Sequence, residues 1–534
     1  MQPIALPAGA RDEFGETLQK KLVITQEIIN YYNEQQYQPI ATSLIEQSTV
    51  FAHTPTQKML SVLGEEVALR ADMTLPVARF VRAMKLNQPN INLYYLGDVF
   101  RPTEPLSGTY NQTTQMGIEL IGVADCSAEI EAIERMIETS RIAGFKTVEV
   151  ELSDVRLLPA LLQTWQVPQY LQSDLMDAVY NKELTNFVAL LDQTTLNKAI
   201  KTTFRDLPLM FRQSDQILAA LPNTEPLRGI VQRLQEIKAT VLADFPDAIV
   251  TYDLAAKPEQ SYYTGTMFKG YTADAAGYVF SGGRYDQLLS DYKGHALPAV
   301  GAALGIDNLM NLSQTQEADQ PVTFVLAKGR VADAVLPILK QAGVDVSSLD
   351  NRQRRLIFKS DNQRLAFILV KSQDVVKYLD RGIGDVGIVG SDVLEELDQL
   401  THYNMLDLKT GQAKFILASL PSWDMSRTGR KKIATKYPQV TKRYFEAKGE
   451  DVEMIKLEGA VELAPLTGLA DAIVDLTETG RTLAENHLKI FEDISAISTR
   501  LVVTPNALRQ HEVAIKQLVQ SLQTQLVKGE KYDD

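Results

Sequence analysis

The residues from 471 to 482 (DAIVDLTETGRT) combine several groups suited to ligand chemistry in a short stretch. A strand pattern over residues 471–476 leads into a hydroxyl-rich loop, and a helix pattern over residues 483–490 follows at once. Backbone N–H groups at the start of a helix attract anions, and the hydroxyls of Thr479 and Thr482 add donors. Asp475 and Glu478 stand beside the loop, where carboxylates suit sugar hydroxyls or a hydrated Mg²⁺.

Ligands for phosphate, ribose and metal in one segment predict a site for phosphoribosyl pyrophosphate (PRPP). An ordinary strand–turn–helix joint with an N-capping threonine has the same pattern, so the segment alone leaves both interpretations open. In the functional interpretation Asp475 contacts the ribose hydroxyls, and the loop binds the 5-phosphate. The loop residues in that role are Glu478, Thr479, Gly480, Arg481 and Thr482.

Four further blocks support the functional interpretation. With the loop, they resemble the short-form catalytic subunit of ATP phosphoribosyltransferase over residues 321–534. The blocks are residues 324–330 (FVLAKGR), 384–392 (GDVGIVGSD), 433–438 (IATKYP) and 458–465 (EGAVELAP). The resemblance implies that ATP and PRPP react to N1-(5-phosphoribosyl)-ATP and pyrophosphate, the first step of histidine biosynthesis, with Mg²⁺ as the expected cofactor.

The resemblance also suggests which cations face the substrate phosphates. Lys328, Arg330 and Arg354 are the candidates for the pyrophosphate and for the triphosphate of ATP. Lys371 stands where the family is expected to have arginine, and lysine keeps the charge but loses the bidentate fork. None of the five histidines falls in a catalytic motif, and no protein metal site is predicted.

The first 312 residues resemble histidyl-tRNA synthetase, a class II aminoacyl-tRNA synthetase. The matching segments are residues 69–74 (LRADMT), 99–102 (VFRP), 115–119 (QMGIE), 262–265 (YYTG), 282–286 (GGRYD) and 301–306 (GAALGI). Arginines that would neutralise ATP are replaced, which should make adenylate formation poor. The replacements stand at Thr103, Glu104, Thr109, Asn111, Pro258 and Asn308, where Thr103 takes the place of a glutamate and the others that of arginines.

Amino-acid recognition is expected to survive. The residues that match histidine-binding positions of the synthetase are Asp72, Gln115, Glu119, Tyr262 and Tyr263. A buried polar core would also use such residues, but the set stands beside the selective loss of the ATP arginines. The N-terminal half, residues 1–312, therefore resembles the regulatory subunit of ATP phosphoribosyltransferase. This resemblance implies feedback inhibition by histidine. It also implies a homo-oligomer, with a tetramer of the fused chain as the candidate assembly.

The elements that must position these residues differ between the halves. Residues 1–312 show runs of strands with helices set apart, which predicts an α+β synthetase-like domain with a largely antiparallel sheet. Residues 313–320 are polar and read as a linker. Residues 321–534 alternate strands and helices, which predicts a two-lobed α/β fold like that of periplasmic binding proteins. Lobe I is assigned to about residues 321–405 and 491–534, and lobe II to about residues 406–490.

The composition narrows the function classes. A net charge of −13 disfavours nonspecific nucleic-acid binding, and no apolar run approaches the roughly 20 residues that span a bilayer. The N-terminus lacks a signal-peptide pattern, and the single cysteine, Cys126, excludes an internal disulfide, so a cytoplasmic enzyme is expected.

Three rival interpretations remain. The chain is a histidine-sensing binding module with an inactive transferase half, a residual synthetase, or a periplasmic-type binding protein. The intact PRPP loop disfavours an inactive transferase half, and the lost arginines disfavour a residual synthetase. The absence of a signal-peptide pattern disfavours a periplasmic-type binding protein.

Overall fold

The polypeptide divides into two units, residues 1–180 with 189–316 and residues 317–534 with 181–188. Their structure is a computed structural model that describes residues 6–7, 9–52, 54, 56, 58–60, 64–84, 90–103, 110–272, 277–289, 297–310, 321–350, 354–397, 402–426 and 429–529. The predicted linker lies outside the described residues, as do Glu104, Thr109 and the side chain of Asn308. Within the described ranges, no helix combines the length and apolar content needed to cross a bilayer.

The first unit is built on a mainly antiparallel sheet of eight strands in the order β1-β5-β6-β11-β10-β9-β7-β8, with parallel pairs at its two edges. Strands β2, β4 and β3 form a small second sheet. The predicted α+β class is thereby confirmed. The strands are β1 (Gln38–Ile40), β2 (Ile45–Gln47), β3 (Lys58–Leu60), β4 (Glu66–Leu69), β5 (Ile91–Phe100), β6 (Gln112–Ile121), β7 (Glu149–Asp154), β8 (Ile249–Tyr252), β9 (Thr266–Tyr271), β10 (Tyr278–Arg284) and β11 (Ala299–Gly305).

Helices of the N-terminal half lie before, between and after these strands. The longest run of helices lies between β7 and β8. The helices are α1 (Gly15–Glu34), α2 (Thr74–Met84), α3 (Ser127–Ile142), α4 (Leu157–Thr164), α5 (Gln169–Tyr180), α6 (Leu184–Gln193), α7 (Lys198–Thr203), α8 (Asp215–Ala219), α9 (Leu227–Asp244) and α10 (Ile306–Met310).

The second unit holds two α/β lobes, as predicted. Lobe I has a six-stranded sheet in the order β13-β14-β12-β15-β22-β16, with β14, β12 and β15 parallel. Its central strands are apolar because both faces are covered, and Phe324 stacks on its register partner Phe367 with ring centroids 5.3 Å apart. The strands are β12 (Val322–Ala327), β13 (Ile357–Lys359), β14 (Leu365–Val370), β15 (Val386–Gly390), β16 (Tyr403–Asp407) and, after lobe II, β22 (Thr499–Val503).

Lobe II has a five-stranded sheet in the order β19-β18-β20-β17-β21, with β19, β18 and β20 parallel. Its strands are β17 (Ala413–Ser419), β18 (Lys431–Thr435), β19 (Val452–Lys456), β20 (Ala472–Thr477) and β21 (Lys489–Ile497). The helices of both lobes are α11 (Arg330–Gln341), α12 (Val375–Asp380), α13 (Ser391–Glu395), α14 (Pro438–Ala447), α15 (Leu463–Thr467), α16 (Arg481–Glu485), α17 (Pro505–Gln510) and α18 (Glu512–Gly529).

Two elements differ from the sequence analysis. The predicted helix over residues 483–490 is wrong, because α16 ends at Glu485, His487 takes a left-handed φ of 57°, and a strand follows. Leu483 and Leu488 are buried in one cluster and Ile490 packs against it, so the seven-residue spacing of Leu483 and Ile490 reflects shared burial and not a helix. Because β21 pairs with β17, the chain returns to lobe I at β22 rather than at residue 491. The C-terminal helices α17 and α18 are separated at His511.

Candidate active site and ligand pocket

The carboxyl ends of parallel strands gather the predicted cations of lobe I. The Lys328 N–H donates to the Val370 carbonyl at 2.8 Å, and Lys371 follows directly, so the ends of β12 and β14 bring two lysines together. Gly329, at φ 88°, makes the turn after which Arg330 begins α11. Arg354 precedes β13, the outermost strand of this sheet. The first residue of β13 pairs near the carboxyl end of β14, so Arg354 approaches the same end of the sheet as the two lysines.

The predicted PRPP loop follows β20 of lobe II. The Thr477 hydroxyl oxygen accepts a hydrogen bond from the Gly480 N–H at 2.9 Å, and Gly480 has a left-handed φ of 75°. The Gly480 amide is therefore used within the loop, which leaves the neighbouring amides and hydroxyls for an anion. Glu478, Thr479 and Thr482 are exposed. No role was predicted for Thr477, although threonine hydroxyls commonly bond to nearby backbone in turns.

Asp475 lies within β20, partly buried below the loop. Burial raises the pKa of its carboxyl to about 6, and the charge of Glu462 adds to that rise while Lys436 opposes it. One carboxylate oxygen accepts from the Leu476 N–H at 2.8 Å. A carboxyl group whose charge is destabilised in this way gains from hydroxyl donors or from a cation.

The two lobes meet through an ion pair between predicted site residues. Arg330 Nη1 lies 2.7 Å from Glu478 Oε1, and the two side chains are 88% and 55% exposed. An exposed pair of this kind contributes about 0–1 kcal/mol, so a charged ligand can separate it. Arg481 instead pairs with Glu485 one helical turn away, at 2.8 Å.

The carboxylates of this cleft suit a hard cation that arrives with phosphates. No cluster of three or more His, Cys, Asp or Glu side chains in the described part of the chain could hold a metal. Mg²⁺ commonly binds through one or two carboxylates together with substrate phosphates. Asp475 and Glu462, which interact electrostatically, fit that arrangement.

The first unit contains a partly open pocket, whose empty space together with adjoining solvent is about 380 Å³. It lies over β6, β10 and β11, beside the start of α2. Asp72, Gln115, Tyr262 and Tyr263, four of the predicted histidine-binding residues, line it. The other lining residues, which the sequence analysis did not assign, are Thr74, Tyr95, Arg101, Gln260, Ser281, Tyr285, Gly301, Ala302 and Ala303.

Two lining residues carry buried acceptors without a hydrogen-bond partner among the described residues, namely Asp72 Oδ2 and Gln115 Oε1. The other oxygen of Asp72 caps α2 by accepting from the Leu75 N–H at 2.9 Å. Burial raises the pKa of Asp72 to about 6, against the Leu75 bond and the charge of Arg101, which lower it. An unpaired buried acceptor is costly, so both atoms would gain from a ligand with N–H donors.

Glu119, the fifth predicted residue, is fully buried and is not among the pocket's lining residues. It accepts hydrogen bonds from the Tyr285 hydroxyl and, at 2.8 Å, from the Thr74 hydroxyl. Burial raises the pKa of its carboxyl to about 8, against the hydrogen bonds from Tyr285 and Thr74, which lower it. A Cβ at Gly301 would lie 1.9 Å from Glu119 Oε2, so a side chain at that position would displace the Glu119 carboxyl.

Comparison with known proteins assigns both halves. Residues 9–309 match the family model for histidyl-tRNA synthetase, and residues 371–524 match that for ATP phosphoribosyltransferase. An ATP phosphoribosyltransferase of Lactiplantibacillus plantarum is 55% identical over 201 residues, which cover 38% of this chain and 92% of that protein. The chain belongs to the ATP phosphoribosyltransferase family and carries a histidyl-tRNA synthetase-like half.

Other members of the ATP phosphoribosyltransferase family match in the same way. The protein from Listeria innocua is 51% identical over 208 residues, covering 39% of this chain and 97% of that protein. A solved structure of an ATP phosphoribosyltransferase regulatory subunit/histidyl-tRNA synthetase from Bacillus halodurans matches with a TM-score of 0.53 and 24% identity, over 69% of this chain and all of that one. That likeness concerns the fold alone. The predicted composition from two families is confirmed, and the chain is a phosphoribosyltransferase.

Proposed function

We propose that this phosphoribosyltransferase converts ATP and PRPP into N1-(5-phosphoribosyl)-ATP and pyrophosphate, and that histidine bound in the synthetase-like half inhibits it. The observation that carries the catalytic proposal is the cleft of the second unit. There the loop after β20 faces the Lys-Gly-Arg turn of lobe I, and Arg330 contacts Glu478 at 2.7 Å. We assign residues 1–312 to regulation and residues 321–534 to catalysis.

The reaction needs positioning and charge stabilisation more than a protein nucleophile. Adenine N1 attacks C1 of the ribose as pyrophosphate leaves, so the enzyme must align two substrates and stabilise negative charge on the leaving group. Asp475 holds the ribose hydroxyls, and the loop of Glu478–Thr482 holds the 5-phosphate. Lys328, Arg330 and Lys371 face the pyrophosphate and the triphosphate of ATP, with Arg354 at the rim.

The family requires a divalent metal, and we propose Mg²⁺ bound to the pyrophosphate of PRPP. When bound, it would neutralise the leaving group. Asp475 and Glu462 are the carboxylates that would hold the Mg²⁺. Arg330 would have to separate from Glu478 to reach a phosphate. Their ion pair is exposed and weak, so a substrate phosphate can displace it.

The pocket of the first unit suits a free amino acid. Asp72 Oδ2 and Gln115 Oε1 would accept from its ammonium group, and Arg101 lines the same pocket and would meet its carboxylate. Arg101 is held there because its Nε donates to the Ala71 carbonyl at 2.9 Å. Tyr262 and Tyr263 provide aromatic walls, and Glu119 supplies a titratable group below. We propose histidine as the ligand, acting by tighter binding to the less active state.

The first test is formation of phosphoribosyl-ATP by the purified full-length chain with ATP, PRPP and Mg²⁺, with and without histidine. We expect turnover that histidine suppresses. Histidinol, which lacks the carboxylate, is the matched ligand control and should inhibit much less if Arg101 binds that group. Turnover indifferent to histidine would refute the regulatory half of the proposal, and no turnover would refute the catalytic half.

A second candidate is a histidine-sensing module whose transferase half is inactive. Histidine binding without turnover would favour it, and the exposed hydroxyls and shaped turn of the loop argue against it. We further propose a cytoplasmic homo-oligomer, with a tetramer of the fused chain to be tested by light scattering.

A further inference from the structure

Helix α14 of lobe II receives its N-terminal cap from lobe I. Its N-cap residue, Tyr437, makes no side-chain capping bond, and Pro438 occupies the first turn and has no N–H. The next two amides donate to the Glu396 carboxylate, which follows α13. Gln439 N lies 3.0 and 3.1 Å from its two oxygens, and Val440 N lies 3.2 Å from Oε2.

The contact belongs to a larger junction between the lobes. Glu395 Oε2 accepts from the Ser495 hydroxyl of β21 at 2.9 Å, and the Glu395 carbonyl accepts from Arg443 of α14. Burial raises the pKa of Glu395 and of Asp392, and Asp392 also bonds to Tyr437. One five-residue segment of lobe I, from Asp392 to Glu396, thus contacts both helix α14 and strand β21 of lobe II.

The junction lies next to a covalent crossover and next to the candidate active site. The Ser391 N–H, at the start of α13, donates to the Ser498 carbonyl at 2.9 Å, where the chain passes from β21 to β22. On the other side, Lys436 and Tyr437 join β18 to α14, and both interact electrostatically with Asp475. The position of α14 is therefore linked to the position of the PRPP loop relative to lobe I.

We propose that Glu396 is a positioning residue, which caps α14 across the junction and sets the distance between the substrate half-sites of the two lobes. A carboxylate on two first-turn amides is favourable because these N–H groups have no partner within the helix and because the helix dipole attracts negative charge. Arg330 and Glu478 form a mostly exposed pair that ligands can separate, whereas Glu396 is partly buried and bonds to backbone. The proposal rests on the transferase activity of the second unit.

The first measurement is hydrogen–deuterium exchange of the full-length wild-type protein, resolved to single residues. Uncapped first-turn amides exchange rapidly, so slow exchange at Gln439 and Val440 is expected only if the carboxylate holds them. Glu396→Gln should make both amides exchange faster, because the amide replaces the charge and offers one acceptor. Fast exchange at these amides in the wild type would overturn the proposal whatever the variant does.

The second measurement is steady-state kinetics. Glu396→Gln should lower kcat/KM about tenfold for ATP and for PRPP alike, since both half-sites move relative to each other. Glu446→Gln is the matched control, because Glu446 is exposed near the C-terminal end of the same helix and only reaches Lys442 at 3.9 Å. It should change neither the exchange nor the kinetics.

The results separate this proposal from the proposed function. If Glu396→Gln accelerates exchange but leaves both kcat/KM values at the wild-type level, Glu396 does not position the half-sites. A loss for one substrate only would equally contradict a shared effect of lobe spacing. An inactive wild-type protein would refute the proposed reaction and not the cap. The exchange data would still show whether Glu396 caps α14.

Discussion

Replacing Asp72 by asparagine should stabilise the free protein and weaken histidine binding at the same time. Asp72 is 3% exposed, one oxygen caps α2, and the other has no partner among the described residues. Asparagine keeps an acceptor for the Leu75 N–H and removes the charge. Stability and affinity change in opposite directions because the buried charge destabilises the free protein, whereas it attracts the ammonium group of a bound ligand.

The magnitude follows from the pKa of Asp72, which burial raises from 3.8 to about 6. Such a rise lowers the unfolding free energy by roughly 3 kcal/mol once the group is ionised in both states. The folded state binds more protons than the unfolded state between these two values, so this contribution makes stability fall as pH rises through that window. Above about pH 6 the full cost persists. At neutral pH, Asp72→Asn should therefore gain up to roughly 3 kcal/mol.

Two assays check the reasoning. Denaturant unfolding without histidine should show the gain at pH 7 and its disappearance towards pH 4, while calorimetry should show histidine affinity reduced by about 10- to 100-fold for the loss of a charged acceptor. Asp154→Asn is the control, because that buried carboxylate is paired with Arg156 at 2.6 Å and its neutralisation should destabilise. Lower stability of Asp72→Asn would refute the cost of the unpaired charge. An unchanged affinity for histidine would refute the role of Asp72 in binding it.

Three further predictions concern the cleft. Thr477→Val should raise KM for PRPP by about tenfold because Gly480 loses its acceptor, whereas Thr477→Ser should retain it; equal KM values for both variants would count against the loop geometry. Gly480→Ala, at φ 75°, should lower the unfolding free energy by about 1 kcal/mol and raise KM for PRPP. An unchanged KM would show that the loop does not bind PRPP. Arg330→Gln should change unfolding free energy by less than about 1 kcal/mol, since its pair with Glu478 is exposed, yet lower kcat/KM at least tenfold; unchanged turnover would remove Arg330 from the site.

Local patterns predicted elements best where burial and periodicity agree. The antiparallel class of the first unit and the two-lobed class of the second are confirmed. The segment over residues 483–490 failed because a short helix and a strand place Leu483 and Ile490 in the same cluster. The spacing of apolar residues indicates which side chains are buried, but it does not determine the secondary structure of the backbone between them.

The sequence by itself determined the two families, the reaction class and the residue types available to each site, because motif chemistry and spacing are local properties. Tertiary structure decided which of those residues meet. It brought Arg330 to Glu478, placed Glu119 among Tyr285 and Thr74, and capped α14 with Glu396. Such contacts join residues far apart in the chain, and their pKa shifts depend on burial that only packing creates.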